Sequence, residues 1–518
     1  MKTTYHHGLI IAFLSLWAAT NVQAQTPRID PKGIDGALLL CGRGYVSDAA
    51  LAQFIEAAGG DQAKIVILAP PDAKRATPFI ESLNAAAKKK DAGLPRFVHV
   101  KDAHDALRNA TGVWFLGDSA ETWRKELTKH ALARECRELL KRGGVIAASG
   151  GGAEMFASLD VLALLPDSMI ETRAPAQGKS RLPEVLKKMP RSVGYQIDPG
   201  AALMVKGRLL RAIGERRVAV YLPEKGSSRE IVLQGKRVED LTALRRAARD
   251  RADGFPPKKV ETPVVERGTL VIVGGGGSPK GLSRKFVEYA GGTGKAVIVI
   301  FPTAAANPLP KREFLAAGFR KAGAKKATVL YGQTQAEVES KPFLDALKEA
   351  TGIWFDGGRQ WRFVDCYENT KALPLMFDVL KRGGVIGGTS AGATIQGDYL
   401  ARGGVFDNFD IAYPGYERGL GFLKGVAIDQ HFTQRKRQKD MTRLMKTCPQ
   451  YLGIGLDEAT AIVVKGSIAD VIGKGKAHFY DSRRKFDKGD PDYEALPAGG
   501  RYDLKTRRVL SAPNDGAR

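Results

Sequence analysis

The stretch GGVIGGTSAGATIQGDYL, Gly383 to Leu400, decides the fold. VIGG is short and strand-like, and it runs straight into Thr389-Ser390-Ala391-Gly392-Ala393. Gly388, Ser390 and Gly392 spell G-x-S-x-G, the pattern of a serine held on a sharp strand-to-helix turn. Small neighbours are needed there because the chain doubles back on itself. ATIQGDYL after the turn reads as a helix, whose first free amides would face a developing oxyanion. No P-loop and no clean G-x-G-x-x-G with a following acid occurs, so a phosphate cradle is the weaker reading.

Working outward, this stretch has a counterpart. KRGGVIAASGGGA from Lys141 answers KRGGVIGGTSAGA from Lys381. GALLLCGRG from Gly36 answers GTLVIVGGG from Gly268, and IVILAP from Ile65 answers VIVIFP from Val297. TGVWFLG from Thr111 answers TGIWFDG from Thr351, and GYQIDPGAALMVKG from Gly194 answers GIGLDEATAIVVKG from Gly453. Matched blocks in one order imply a tandem duplication. The expected halves span 30–234 and 267–518, with a linker over 235–266 that is charged and helix-like before Pro256, Pro257 and Pro263.

The strand-like runs TLVIVGG, AVIVIFP, TGIWFDG and GVIGGTS are nearly all apolar, as in a parallel sheet buried on both faces. SRKFVEYA and PLMFDVLKRG have helical spacing and suit the crossovers. The expectation is an α/β chain of two tandem doubly wound, mostly parallel-sheet domains.

The chain has 518 residues, enough for two or more cores, and 43% of them are hydrophobic, which excludes wholesale disorder. Its 80 Lys and Arg against 56 Asp and Glu leave +24, which favours weak polyanion binding without sequence preference. No nucleic-acid module appears, and no specific nucleic-acid partner is expected. MKTTYHHGLIIAFLSLWAATNVQAQ has the layout of a signal peptide over 1–24, cut after Ala24. Its apolar run is short for a membrane span. An exported protein, periplasmic or extracellular, is expected, with no membrane contact after cleavage. Cys41, Cys136, Cys366 and Cys448 are too few for a disulfide scaffold, and Cys41 reads as a small buried side chain.

A serine nucleophile needs a base. Only His431, in AIDQHFTQRKRQ, and His478, in the strand-like GKAHFYD, follow Ser390, and His431 is favoured. The histidine needs an orienting carboxylate, and Asp457 and Glu458 end the strand YLGIGL. The order serine, histidine, acid differs from that of the α/β-hydrolases. No cluster of His, Cys and carboxylates has metal-ligand spacing, and neither metal nor cofactor is expected.

GGTSAGA, DQHF with its spaced arginines, and GIGLDEATA together resemble the cyanophycinase family. These are serine exopeptidases related to the aspartyl dipeptidases, with a fold similar to the class I glutamine amidotransferases. The resemblance implies Ser390 as nucleophile, His431 as general base and Glu458, ahead of Asp457, as the orienting acid. It implies an oxyanion hole from the amides of Ala391, Gly357 and Gly358. It places Gln360, Asp429, Gln430, Arg435 and Arg437 in a pocket that grips a β-linked aspartyl-arginine unit. Two positions depart from the pattern: Arg359 stands where the family has Asp, and Asp440 replaces a third arginine, with Arg443 three residues on. The connection from Gly403 to Lys424, rich in aromatics, is a further candidate for shaping the pocket.

In the first half Gly150 takes the place of Ser390, Pro199 that of Glu458 and Ala120 that of Gln360. Gly117-Asp118 answers Gly357-Gly358, Ser149 lies one residue off the turn, and no histidine falls between His130 and His431. The first half is expected to be inert and to pack against the second as an intramolecular pseudo-dimer, or to bind a long or charged substrate. A homodimer is also compatible with the family. The expected activity is exopeptidase cleavage of cyanophycin to β-aspartyl-arginine. The alternatives are a same-fold peptidase for aspartyl dipeptides or other peptides, and a non-catalytic basic polymer-binding protein.

Overall fold

The computed structural model describes residues 28–70, 76–117, 119–157, 160–172, 179–224 and 227–512. The expected signal peptide lies outside them. Among the described residues no helix is long and apolar enough to cross a membrane.

In the second half a nine-stranded sheet carries the site. Its parallel part runs Lys326–Val329, Val297–Phe301, Gly352–Phe355, Val385–Thr389 and Val265–Val273, and antiparallel strands from Thr460–Gly466 onward extend it. Alternate residues bury opposite faces. Val271, Ile298, Ile300 and Trp354 pack under Phe286 and Phe319 of helices Leu282–Tyr289 and Glu313–Lys321. Ile272, Phe301, Phe355 and Ile386 pack under Phe343 and Met376 of helices Lys341–Glu349 and Ala372–Lys381. This is the doubly wound α/β arrangement. A five-stranded sheet, Gly397–Leu400, Leu423–Gln430, Leu452–Leu456, Lys476–Asp481 and Glu494–Pro497, stands beside it.

The first half has the same strand order. Arg96–His99, Ile65–Ala69, Gly112–Phe115, Val145–Ser149 and Ala37–Cys41 are parallel, and Ala202–Lys206, Leu209–Ile213 and Val238–Asp240 continue antiparallel. The register agrees as well: Ser149 pairs with Cys41 as Thr389 pairs with Val273.

Two expectations need correction. The helix after Ser390 covers only Ala391–Thr394, and Gly397–Leu400 is a strand paired with Leu423–Gln430. Gly397 and Tyr399 disfavour helix there, and the strand buries Tyr399 and Leu400. Likewise, 235–266 is no plain linker. Val238–Asp240 joins the first sheet, and Leu241–Ala252 is a buried helix capped by Asp240. Leu241, Leu244 and Ala248 enter the first core, while Ala243 enters the second.

The arginines of this helix are not a solvated run. Arg246 is fully buried and pairs with Glu368 and with Asp365 at 3.2 Å. Arg249 reaches Glu368 at 2.8 Å and Arg251 reaches Glu417 at 2.6 Å. Arg208 of the first half contacts Asp365 at 2.8 Å and the Tyr416 hydroxyl at 2.7 Å. Tyr416, in the long 403–424 connection, is thereby anchored at the junction of the halves. Burial alone would raise the Glu368 carboxyl, but Arg246 and Arg249 outweigh it and hold it down to about 2. With acids and bases matched, the helix offers no site for a polyanion. Removing one partner leaves a buried charge exposed to nothing but protein. Glu368 is the carboxylate shared by Arg246 and Arg249, so Glu368→Leu, which strips both arginines of it, should cost about 3–5 kcal/mol of stability in chemical denaturation, more than Arg246→Leu, which leaves Arg249 on Glu368 and Arg208 on Asp365.

Candidate active site

Val385–Thr389 ends at the carboxyl edge of the sheet, where open α/β sheets place their chemistry. Ser390 follows at φ 55° and ψ −114°, a strained conformation for a side-chain residue. Its glycine neighbours make the turn physically possible. A Cβ on Gly388 would lie 2.4 Å from the Gly392 carbonyl oxygen, and one on Gly392 would lie 2.1 Å from that of Phe355.

Three segments converge on the exit of the strand Val265–Val273. Ser390 N–H donates to the Val273 carbonyl at 3.0 Å, His431 N–H to Gly274 at 2.8 Å, and Ala459 N–H to Gly275 at 2.8 Å. Ser390 Oγ then lies 3.0 Å from His431 Nε2, and His431 Nδ1 lies 2.6 Å from Glu458 Oε1. Geometry thus brings together serine, histidine and glutamate in the order a nucleophile, base and orienter require. Gln434 Oε1 accepts from Glu458 N–H at 3.0 Å and steadies the acid.

Burial lowers the His431 pKa below its ordinary value, the Glu458 hydrogen bond opposes this, and Arg435 lowers it further. The neutral imidazole, able to accept a proton, is therefore the form at neutral pH. Asp457 is placed differently from Glu458. It accepts from Thr433 N–H at 3.0 Å and Lys476 N–H at 3.0 Å, and lies 3.3 Å from His478 Nε2. Burial would raise it, but these contacts with His478 and Thr433 hold it down to about 2. Asp457 and His478 brace the loop after His431 and do not touch the serine chain.

Gly357 lies against the nucleophile, since a Cβ there would come 3.4 Å from Ser390 Cβ. Gly358 sits at φ 147°, where a Cβ would lie 2.1 Å from the Ala304 carbonyl oxygen. Ala391 begins the short helix, so its N–H has no acceptor within that helix.

The expected pocket residues divide into two groups. Arg435 is exposed beside His431. Asp429, Gln430, Arg437 and Gln360 are buried. Gln360 Nε2 donates to the carbonyls of Ala401 at 2.8 Å and Arg402 at 2.7 Å. Asp429 accepts from Arg437 Nη1 at 2.8 Å and from Arg402 Nε at 2.9 Å. Burial pulls the Arg437 guanidinium down to about 10 against the pull of Asp429. Arg402, 3% exposed, also donates to Asp440 at 2.7 Å and to the Phe409 carbonyl at 2.6 Å. Asp440 therefore turns inward onto Arg402, with Arg443 3.6 Å away.

Sequence reading missed Arg402 and the Gly274–Gly277 turn. A Cβ on Gly275 would lie 2.4 Å from His431 Cε1, and one on Gly276 would lie 2.3 Å from Glu458 Cδ. Four glycines at a strand end were the visible signal; Arg402 left none.

A model of peptidase family S51 matches residues 262–472. The cyanophycinase of Geminocystis herdmanii is 30% identical over 264 residues, which span 47% of this chain and 97% of that protein. The chain belongs to peptidase family S51. It is a serine-type peptidase. The cyanophycinase of Synechococcus elongatus is 31% identical over 221 residues, 41% of this chain and 68% of its own. A crystal structure of a peptidase from an acI-B1 actinobacterium covers 47% of this chain and 98% of its own at 24% identity, with a TM-score of 0.37. The S51 match falls wholly beyond the first half and includes Ser390, His431 and Glu458.

Two measurements follow from this geometry. Because His431 must be neutral to accept a proton, kcat/KM should fall on the acid side with a midpoint below 6.5, the ordinary histidine value. A midpoint above it would contradict the burial argument. Gly275→Ala should displace the imidazole and lower kcat by about 10²-fold with the fold retained by circular dichroism.

Proposed function

We propose that this serine peptidase cleaves cyanophycin and releases β-aspartyl-arginine dipeptides, with Ser390, His431 and Glu458 as its catalytic residues. The observation that carries the reading is the continuous chain from Ser390 Oγ to Glu458 Oε1, with steps of 3.0 and 2.6 Å. The substrate is drawn from the relatives, which are named cyanophycinases.

In this mechanism Ser390 Oγ attacks the scissile carbonyl carbon as His431 Nε2 takes its proton. Glu458 holds the Nδ1 proton and stabilises the imidazolium. The amides of Ala391 with Gly357 and Gly358 receive the oxyanion. His431 returns the proton to the leaving amine, an acyl-enzyme remains on Ser390, and water then repeats the cycle to free the acid.

Exposed Arg435 is the cation in this account that faces a substrate carboxylate. Asp429, Arg402 and Arg437 neutralise one another and set the pocket wall, so they act as positioning residues. The inward pairing of Asp440 favours a second reading, in which the site accepts other aspartyl peptides, because no guanidinium stands at that position. The first half is inert and takes the place of a partner subunit. The protein acts outside the cytoplasm after loss of residues 1–24, which N-terminal sequencing of periplasmic and medium fractions tests.

The purified protein and Ser390→Ala are incubated with cyanophycin and with small aspartyl peptides, and products are read by mass spectrometry. β-Aspartyl-arginine from the parent alone is the expected result. Cleavage of the small peptides alone would transfer the assignment to the second reading. Glu458→Gln should lower kcat by about 10²–10⁴-fold. Ser149→Ala should leave it unchanged; a loss like that of Ser390→Ala would overturn the inert first half.

A further inference from the structure

The segment that carries Gly357 and Gly358 continues into an unpaired charge. Arg359 N–H donates to the Ala304 carbonyl at 2.8 Å. The Arg359 side chain is partly open, its Nη1 is buried without a hydrogen-bond partner, and it forms no ion pair among the described residues. Arg362 Nη1 donates to the same Ala304 carbonyl at 3.0 Å, and its Cζ stands 5.1 Å from the Trp361 ring centroid. Burial lowers the Arg362 pKa, and the neighbouring Arg359 charge lowers it further. Two like charges are thus held together with no carboxylate paired to either.

The pair stands next to the reaction. Gly357, two residues before Arg359, lies against Ser390 Cβ. The carboxylates on the segments that build the site are already engaged. Asp356 accepts from Arg312, Asp429 from Arg402 and Arg437, and Asp457 from backbone N–H groups, while Glu458 holds His431. The anion that Arg359 lacks is therefore not supplied by these segments.

The first half shows the same position without the charge. By strand register Ser119 and Thr122 stand where Arg359 and Arg362 do. Ser119 Oγ accepts from Thr122 N–H at 3.1 Å and caps the helix Ala120–Lys129. The helix Trp361–Tyr367 has no such cap, and Gln360 turns its amide to Ala401 and Arg402 instead. A capping serine in one half is thus a cation beside the nucleophile in the other. Local rules are broken in this way at functional sites.

We propose that Arg359, supported by Arg362, binds a free carboxylate of the peptide substrate and is a specificity-determining residue of the site. A guanidinium grips a carboxylate through two parallel N–H donors. Arg359 thereby joins Arg435, from the segment that carries the oxyanion amides. The choice of peptide rests on the reading above; the demand for a carboxylate is separate from it.

The test compares acid with amide. The full-length parent, Arg359→Gln and Arg359→Lys are assayed on a three-unit aspartate-arginine isopeptide and on the same peptide with its carboxylates amidated. An α-aspartyl dipeptide and its amide form a second series. Thermal midpoints verify folding. The parent should favour the acid in kcat/KM by about 10- to 100-fold, the worth of a hydrogen bond to a charged group. Arg359→Gln should lose that preference by slowing on the acid alone, and Arg359→Lys should restore part of it. An equal loss on acid and amide, or a parent indifferent to amidation, would overturn the proposal and leave the cleavage reading standing. A selective loss confined to the dipeptide series would uphold Arg359 and remove the polymer. Cleavage of no peptide would overturn both.

Discussion

Three successive carbonyls, those of Val273, Gly274 and Gly275, hold the segments of Ser390, His431 and Glu458. Everything the second half does depends on that exit from the central strand. Backbone bonds fix the three segments to one rigid edge, so the side chains meet without relying on loop order. Only glycine permits the approach, because any Cβ at Gly275 or Gly276 would occupy the imidazole or the carboxylate itself. The strained Ser390 turn is possible for the same reason, with Gly388 and Gly392 letting backbone lie on backbone.

The two halves share one scaffold. Gly42 and Gly274 each donate to a strand carbonyl, Ala201 at 2.9 Å and Thr460 at 2.8 Å. Each would clash through a Cβ with the following strand end, Asp198 or Asp457. Those features survive in both. The Ser390, His431 and Glu458 arrangement has no counterpart at the matching positions of the first half, where Gly150 and Pro199 stand in place of the serine and the glutamate. The arginine helix joins the halves through matched buried charges, a junction that specifies one arrangement because any other strands an ion.

Much of this was legible in the chain. Repeated blocks gave the paired sheets, since strands buried on both faces leave a dense apolar signature. Ser390 and His431 were legible from their own neighbours, whereas Asp457 and Glu458 stand side by side at one strand end and only the family resemblance put Glu458 ahead. The helix Leu241–Ala252 was misread because a charged run looks alike whether water or opposite charges surround it; the partners Asp365, Glu368 and Glu417 lie more than a hundred residues away in sequence. The inward roles of Gln360, Asp429 and Asp440 were hidden for the same reason. Their partner Arg402 sits in a loop with no local pattern, at φ 57°. ATIQGDYL failed differently: its strand forms only because Leu423–Gln430 is there to pair with it.

The most direct test of the account is covalent. A fluorophosphonate that traps activated serines is reacted with the full chain, and the modified peptide is mapped by mass spectrometry. The account predicts a single adduct on Ser390, lost in His431→Ala and absent from Ser149. An adduct on Ser149, or undiminished peptide cleavage by a chain whose Ser390 is unmodified, would contradict it.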